Sequence, residues 1–353
     1  MVTYRAALIG CGRIGAFIDN EVVGIPSVVL PYSHAAGYEA CPRTELIAGS
    51  DLRPDVLAAF GGRYDVPSGH LYTDFREMIL QERPDILSVA TQPQDRAEVA
   101  LFAIEHGVRA IYCEKPLCAS VEQAAALVEA VERHGTVFNM GTNRRWSPSY
   151  AAMRQAIASG EYGALATLNT HSRATLFNTG SHWFDTLLYL SGDKPVSWVQ
   201  GYLPQGDGVF DGDEVIEDPI GQGTIAFADG TMGHLLPSPQ AARHEAICER
   251  ATISATADSR IEIRLAPGDG TVQLLDFTPA SATLRLIEDL VHGLDTAAPT
   301  RGGVRVAQVN TQIIFGLIES HRRGGARVAL PLTDSTLQFA PRNSAPRQPK
   351  YAP

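Results

Sequence analysis

Tyr4-Arg-Ala-Ala-Leu-Ile9, followed at once by Gly10-Cys-Gly12-Arg-Ile-Gly15, is the stretch whose reading decides the fold. The first six residues make a short apolar strand, and the glycines follow it in the pattern G-x-G-x-x-G. The first glycine permits a tight turn and the second lets backbone N–H groups approach a pyrophosphate. The third allows a helix to pack closely on the strand. Glycine triplets also arise by chance; the strand before this one and the helix expected after it supply its weight.

Working outward, the same unit recurs. Strands at 44–50, near Leu71, at 84–90, 108–112 and 137–140 alternate with helices at 54–63, 74–81, 94–106 and 120–134. Alternation of this kind predicts a doubly wound parallel sheet, which binds ligands at the carboxyl ends of its strands. Those ends carry the candidates. Gly10, Gly12, Arg13, Ile14 and Gly15 would hold a dinucleotide pyrophosphate. Asp51 would accept hydrogen bonds from the ribose hydroxyls and repel a 2′-phosphate, which favours NAD. Asp51 lies farther from Gly15 than is usual, Arg53 could grip a phosphate and admit NADP, and Asp51 could instead cap the helix near Pro54. Thr91 and Pro93 form a turn suited to run beneath a nicotinamide. The strand at 108–112 ends in Glu114-Lys115-Pro116, where proline keeps Lys115 out of helical geometry and sets an amine at the rim.

Residues 19–33, rich in Val, Ile and Pro, lengthen the link between Gly15 and a helical stretch near 34–38. They read either as a surface loop or as a lid that brings Tyr32 or His34 to the ligand. Past Gly141 the alternation stops. A helix at 150–159 closes the first domain, and the period changes to two at 165–171, 197–202, 223–227, 231–236, 246–256, 261–265 and 272–276. One helix at 182–190 interrupts this series, and two more at 282–293 and 304–322 precede a last strand at 327–330. The expected architecture is α/β: a dinucleotide-binding domain over 1–145 and a second α/β domain over 146–332 with a large open, mostly antiparallel sheet. The segment 333–353 reads as an arm or as disorder.

Composition narrows the function. Of 353 residues, 44% are hydrophobic and 19% charged, which are globular values. Lys plus Arg is 29 against 39 Asp plus Glu, a formal charge of −10, so nucleic acid and anionic membranes are poor partners. Neither a spanning apolar stretch nor a signal peptide is evident, so a cytoplasmic location is expected. Five scattered cysteines without a C-x-x-C pair suit free thiols in a reducing compartment, and nothing has the paired spacing of a metal site.

Four motifs in order then carry a resemblance. Gly10-Cys-Gly12-Arg-Ile-Gly15, Cys-Glu114-Lys115-Pro116, Asn143-Arg-Arg-Trp-Ser-Pro148 and Gly180-Ser-His182-Trp-Phe-Asp185 are similar to those of the glucose–fructose oxidoreductase / inositol dehydrogenase (Gfo/Idh/MocA) family. The resemblance implies an N-terminal Rossmann domain and a larger open sheet that buries its face in a homodimer or homotetramer. It also implies an NAD(P)-dependent oxidoreductase acting on a secondary hydroxyl of a small carbohydrate or cyclitol, with Lys115 and His182 catalytic. Elementary chemistry agrees: oxidising an alcohol needs a group to take the hydroxyl proton and a donor to hold the oxygen. Asp185, one helical turn on, could orient His182 or simply pack.

Lys115, Arg145, Asn178, His182 and Trp183 are the candidates for substrate contact. For Arg145, with Arg144, the alternative is ion pairing between domains; for Trp183 it is a core position. His234, Arg243 and His244 are lesser candidates. The chain departs from the family twice, with Asn178 where many relatives have aspartate and Arg96 where histidine is common. Two rival functions follow from the resemblance: an NAD-dependent glycosidase working through a transient ketone, and a dinucleotide-binding regulator without chemistry.

Overall fold

The computed structural model describes residues 2–25, 28–173, 175–257, 259–266, 270–342 and 348–351. Its first sheet contains β1 (Tyr4–Ile9), β2 (Thr44–Ser50), β3 (Leu71–Tyr72), β4 (Ile86–Val89), β5 (Ala110–Cys113) and β6 (Val137–Met140). All neighbours run parallel, in the order β3-β2-β1-β4-β5-β6. β4 and β5 are buried at every residue, as strands covered on both faces must be. The order reverses between β1 and β4, and the turns that leave these two strands flank the resulting crevice.

The helix expected directly after the glycine turn is short and irregular. Ile18 N–H donates to the Arg13 carbonyl at 2.7 Å, a bond spanning five residues, and a single α-turn, Asp19–Val22, follows. The chain then loops back because the Asp19 carboxylate accepts from the Tyr32 and Ser33 N–H groups at 2.8 and 2.9 Å. Ser33 in turn caps the helix His34–Ala40. Within the 19–33 segment, residues 26 and 27 lie outside the described residues.

The second half supplies β7 (Leu165–His171), β8 (Val196–Tyr202), β9 (Phe210–Asp211), β10 (Glu214–Val215), β11 (Gln222–Phe227) and β12 (Met232–Leu236). It continues with β13 (Arg243–Cys248), β14 (Ala251–Ala257), β15 (Arg260–Leu265), β16 (Val272–Asp276), β17 (Val328–Ala329) and β18 (Gln338–Phe339). Nine of these form a sheet in the order β16-β15-β14-β13-β7-β12-β11-β8-β17. Its neighbours are antiparallel except β7 with β12. The run 246–256, expected as one strand, is a hairpin: β13 and β14 turn at Glu249-Arg250, two polar residues inside an otherwise apolar series. Helices Pro148–Ala158, Gly180–Ser191 and Val304–Arg322 cover one face, while alternate residues of β7 and β8 stay half-buried or exposed.

Two boundaries need correction. The helix Ala282–Thr296 comes from the second half but packs Leu286, Ile287, Leu290 and Val291 with Tyr38, Tyr112 and Trp146 against the first sheet. An amphipathic stripe records that a helix must be covered, not which sheet covers it. The segment after 333 is also built into the molecule. β18 pairs with β10, which pairs with β9, and Leu337 and Phe339 are buried, the latter stacked on Phe177 with ring centroids 3.7 Å apart. Farther on, the Lys350 carbonyl accepts from Asn20 Nδ2 at 2.6 Å and Tyr351 meets Phe17 edge-on. Residues 343–347 and 352–353 of this segment lie outside the described residues. Among the described residues no helix is long and apolar enough to cross a membrane.

Candidate active site

The glycine turn is constrained at two positions and open at the third. Gly10 has φ +88°, and a Cβ there would lie 2.7 Å from the Ala90 carbonyl oxygen. A Cβ on Gly15 would fall 2.0 Å from the Gly10 oxygen, so close packing excludes any side chain. Gly12 has nothing within 4 Å of its Cβ position and borders a cavity of 540 Å³. That cavity runs from Gly12, Arg13 and Ile14 to Asp51 and Arg53. These residues fit a dinucleotide: the turn is open where a pyrophosphate would approach, and a carboxylate stands at the far end. Asp51 accepts the Arg53 N–H at 3.0 Å in the turn ahead of the following helix, which it does not cap, as well as facing the cavity, and burial raises its pKa. The Arg53 guanidinium donates to Gln348 Oε1 at 3.2 Å, and Arg13 pairs with Glu21.

A second cavity, of 660 Å³, shares Arg13, Ile14, Ala90, Thr91 and Gln92 with the first, so the two form one cleft. Pro93, Glu114, Lys115, Asn178 and His182 line it. The Lys115–Pro116 peptide is cis, and Lys115 Nζ donates to Asn178 Oδ1 at 2.7 Å and to the Asn178 carbonyl at 3.1 Å. Burial lowers the Lys115 pKa, and the charge of Arg96 adds to the effect. Behind it, Glu114 accepts the Lys115 N–H at 3.1 Å. Burial alone would raise the Glu114 carboxyl, but His34, Lys115 and Arg96 around it bring it down to about 2. Arg96 is itself buried and donates to the Thr91 carbonyl at 2.7 Å and to the Pro116 carbonyl, tying the two cofactor-side turns together.

His182 sits in the first turn of Gly180–Ser191, an almost wholly buried helix. Its Nδ1 is buried with no hydrogen-bond partner among the described residues. Burial, with the charges of Lys115 and Arg144, pushes its pKa well below the ordinary imidazole value.

Several expectations are corrected here. Asp185 does not hold His182; its Oδ1 accepts from Arg145 Nε at 2.7 Å. Arg145, also expected at the substrate, does not line the cavity. It is fully buried, and its other nitrogens donate to Asp193 at 2.7 Å and to the Arg301 carbonyl at 3.1 Å. A guanidinium without solvent must be paired, and the interior supplies the partners. Trp183 is also interior. It lies beneath the Arg144 guanidinium, 4.3 Å away, with the His244 ring at 5.2 Å, and does not line the cavity. His34 stacks on Tyr112 and bonds Ser88 and Glu114 instead of reaching the cavity, whereas Tyr32 does line it. His234, Arg243 and His244 lie outside the cleft: His234 borders a separate cavity, Arg243 pairs with Glu245, and His244 bonds Thr170. Sequence reading missed Asp218, Phe339 and Pro341, which line the same cavity. An aspartate before a proline is ordinary turn composition, and the tail residues sit in a polar stretch, so neither announces a site.

Residues 4–142 match the family described as "Oxidoreductase family, NAD-binding Rossmann fold". A D-apiose dehydrogenase of Paraburkholderia graminis is 28% identical over 160 residues, 45% of this chain and 38% of the relative. An inositol 2-dehydrogenase of Burkholderia multivorans is 27% identical over 208 residues, 56% of this chain and 57% of the relative. The chain thus spans about half the length of these curated relatives. Among solved structures, a levoglucosan dehydrogenase in complex with NADH and levoglucosan superposes with a TM-score of 0.77 at 17% identity, covering 94% of this chain and all 100% of that one. An Agrobacterium radiobacter oxidoreductase in complex with NAD+, L-tartaric acid and magnesium gives a TM-score of 0.75 at 16% identity, covering 93% and 98%. At these identities the structural likeness shows a shared two-domain fold. Residues 4–142 are thus similar to the NAD-binding Rossmann fold of the Gfo/Idh/MocA family of oxidoreductases.

Proposed function

We propose that the protein is a dehydrogenase that passes hydride between NAD and a secondary hydroxyl, or the matching ketone, of a sugar, sugar derivative or cyclitol, with NADP as the alternative cofactor. One observation carries the reading. Lys115 from the first domain and His182 from the second line a single cavity that continues into the cleft at the glycine turn. The named activities of the relatives, on apiose, inositol and levoglucosan, support a polyhydroxylated substrate.

A bound nicotinamide would supply hydride transfer, held by Gly10, Gly12, Ile14, Asp51, Thr91 and Pro93. Lys115 Nζ, aimed by Asn178, would hold the reacting oxygen. Its lowered pKa lets the amine take the hydroxyl proton closer to neutrality than a solvated lysine would. Burial and the nearby positive charges favour the neutral ring of His182, whose unpartnered Nδ1 is free to bond or exchange a proton with the reacting hydroxyl. Glu114 and Arg96 act on the geometry: they fix the turns that carry Lys115 and Thr91. The half-exposed strands of the second sheet favour a homodimer or homotetramer through that face, and the acidic charge favours a small-molecule partner over nucleic acid.

The test is NADH or NADPH formation with monosaccharides, inositols and nucleotide sugars. Turnover with a cyclic polyol and NAD is expected. Glycoside cleavage without net reduction would mark a glycosidase instead, and tight dinucleotide binding with neither activity would mark a regulator.

A further inference from the structure

Only two carboxylates among the described residues line the cavity shared by Lys115 and His182, namely Glu114 and Asp218. Glu114 is committed to His34 and to the Lys115 backbone. Asp218, on the segment between β10 and β11, has capacity to spare. Its Oδ1 accepts the Phe177 N–H at 2.8 Å and its Oδ2 accepts the Asn178 N–H at 2.9 Å. The Thr175 side chain also bonds it, and because a carboxylate offers roughly four acceptor sites, one remains for a ligand. The same bonds lock the carboxylate against the residue that aims Lys115. Asn178 must turn its oxygen to the Lys115 ammonium, which can only donate, so its amide N–H groups point elsewhere. Asn178 is exposed to the cavity. An acceptor and a donor therefore stand side by side, next to the amine that would hold the reacting oxygen.

We propose that Asp218 is a specificity-determining residue of the substrate pocket. It accepts a hydrogen bond from the hydroxyl adjacent to the reacting one, while Asn178 Nδ2 donates to that same hydroxyl oxygen. A hydroxyl is the group that answers both, so the pocket selects a neutral vicinal diol. A carboxylate or phosphate in that place would meet the Asp218 charge. Burial raises the Asp218 pKa, while the two N–H groups, the Thr175 side chain and Lys115 oppose the rise, consistent with a desolvated acceptor and not a solvent-facing cap.

This inference rests on the proposed dehydrogenase activity, and the test separates the two. Wild type, Asp218→Asn and Asn178→Ala are assayed with the best cyclic polyol of the panel and with its deoxy analogue lacking the adjacent hydroxyl. Affinity of the NADH-loaded enzyme for both compounds is measured by calorimetry. Losing a hydrogen bond to a charged group should raise KM and Kd for the diol by about tenfold to a hundredfold in Asp218→Asn. The deoxy analogue, already weak with wild type, should lose nothing more, and NADH affinity should not move. Asn178→Ala also releases Lys115 and should slow turnover of both compounds, so it is read by affinity alone: Kd for the diol should rise more than Kd for the deoxy analogue, which keeps the inference testable if Asp218→Asn proves unstable. Equal losses on both compounds would make Asp218 a cap for residues 177–178 and overturn the proposal. Asp218-dependent diol binding without turnover would sink the redox reading and leave the subsite. Turnover with diol affinity indifferent to Asp218→Asn would do the reverse, and no diol binding at all would sink both.

Discussion

The wall of the cleft that carries Gly12, Thr91 and Lys115 and the wall that carries Asn178, His182 and Asp218 face the same cavity, yet they are assembled differently. On the first wall every functional group follows the end of a parallel strand, β1, β2, β4 or β5, and right-handed alternation brings those ends to one edge. On the second wall a helix start, a loop some forty residues on, and a strand from the tail converge because they share a core, not a repeat. The first wall is therefore local and periodic, and the second depends on long-range packing.

If that contrast is right, the second wall should fail through stability and the first through chemistry. The largest effect expected is at Arg145. Replacing it with Met strands Asp185, which is buried and accepts from it at 2.7 Å, and should cost about 3–5 kcal/mol in denaturant unfolding. A loss under about 1 kcal/mol would remove the buried network as the basis of this wall, since exposed pairs contribute that much. Lys115→Met should instead leave stability and NADH affinity nearly intact while lowering turnover at least about a hundredfold. Unchanged turnover would take Lys115 out of the chemistry.

Acid should also probe the packing behind the second wall, where His244 lies against Trp183. Burial and the nearby Arg144 hold His244 well below the ordinary imidazole value, so the folded protein resists a proton that the unfolded chain accepts. Stability is then full above about pH 6.5 and falls as pH drops toward the folded value, by at most about 1.4 kcal/mol per pH unit for this group. His244→Gln should flatten that slope between pH 6.5 and 5.5 in thermal melts; an unchanged slope would assign it elsewhere. The smallest effect is expected at Asp51→Asn, which keeps one acceptor for a ribose hydroxyl. NAD affinity should weaken about fivefold and NADP should gain relative to it, and an unaltered ratio would leave Asp51 only its bond to the Arg53 N–H.

Legibility followed the same division. The parallel sheet, the glycine turn and the placement of Lys115 could be read from short segments because each depends on neighbours a few residues away. Arg145 and Trp183 stay open between two uses in the sequence for one reason: arginine beside a motif and tryptophan beside a histidine look alike whether they face a ligand or a core. The helix Ala282–Thr296 and the strand Gln338–Phe339 could be expected to have an apolar side, but pattern alone does not say which sheet or groove receives it.

The amino-acid order by itself determined the alternating units, the turn chemistry and the amine at the end of β5, since backbone sterics and side-chain period act over a handful of bonds. Tertiary structure alone decided that Asp185 belongs to Arg145 and not to His182, that Asp218 stands beside Asn178, and that the tail closes part of the cavity. Those pairings are settled by burial: a charge withdrawn from water takes the partner that the packed core puts within reach, however far along the chain it lies.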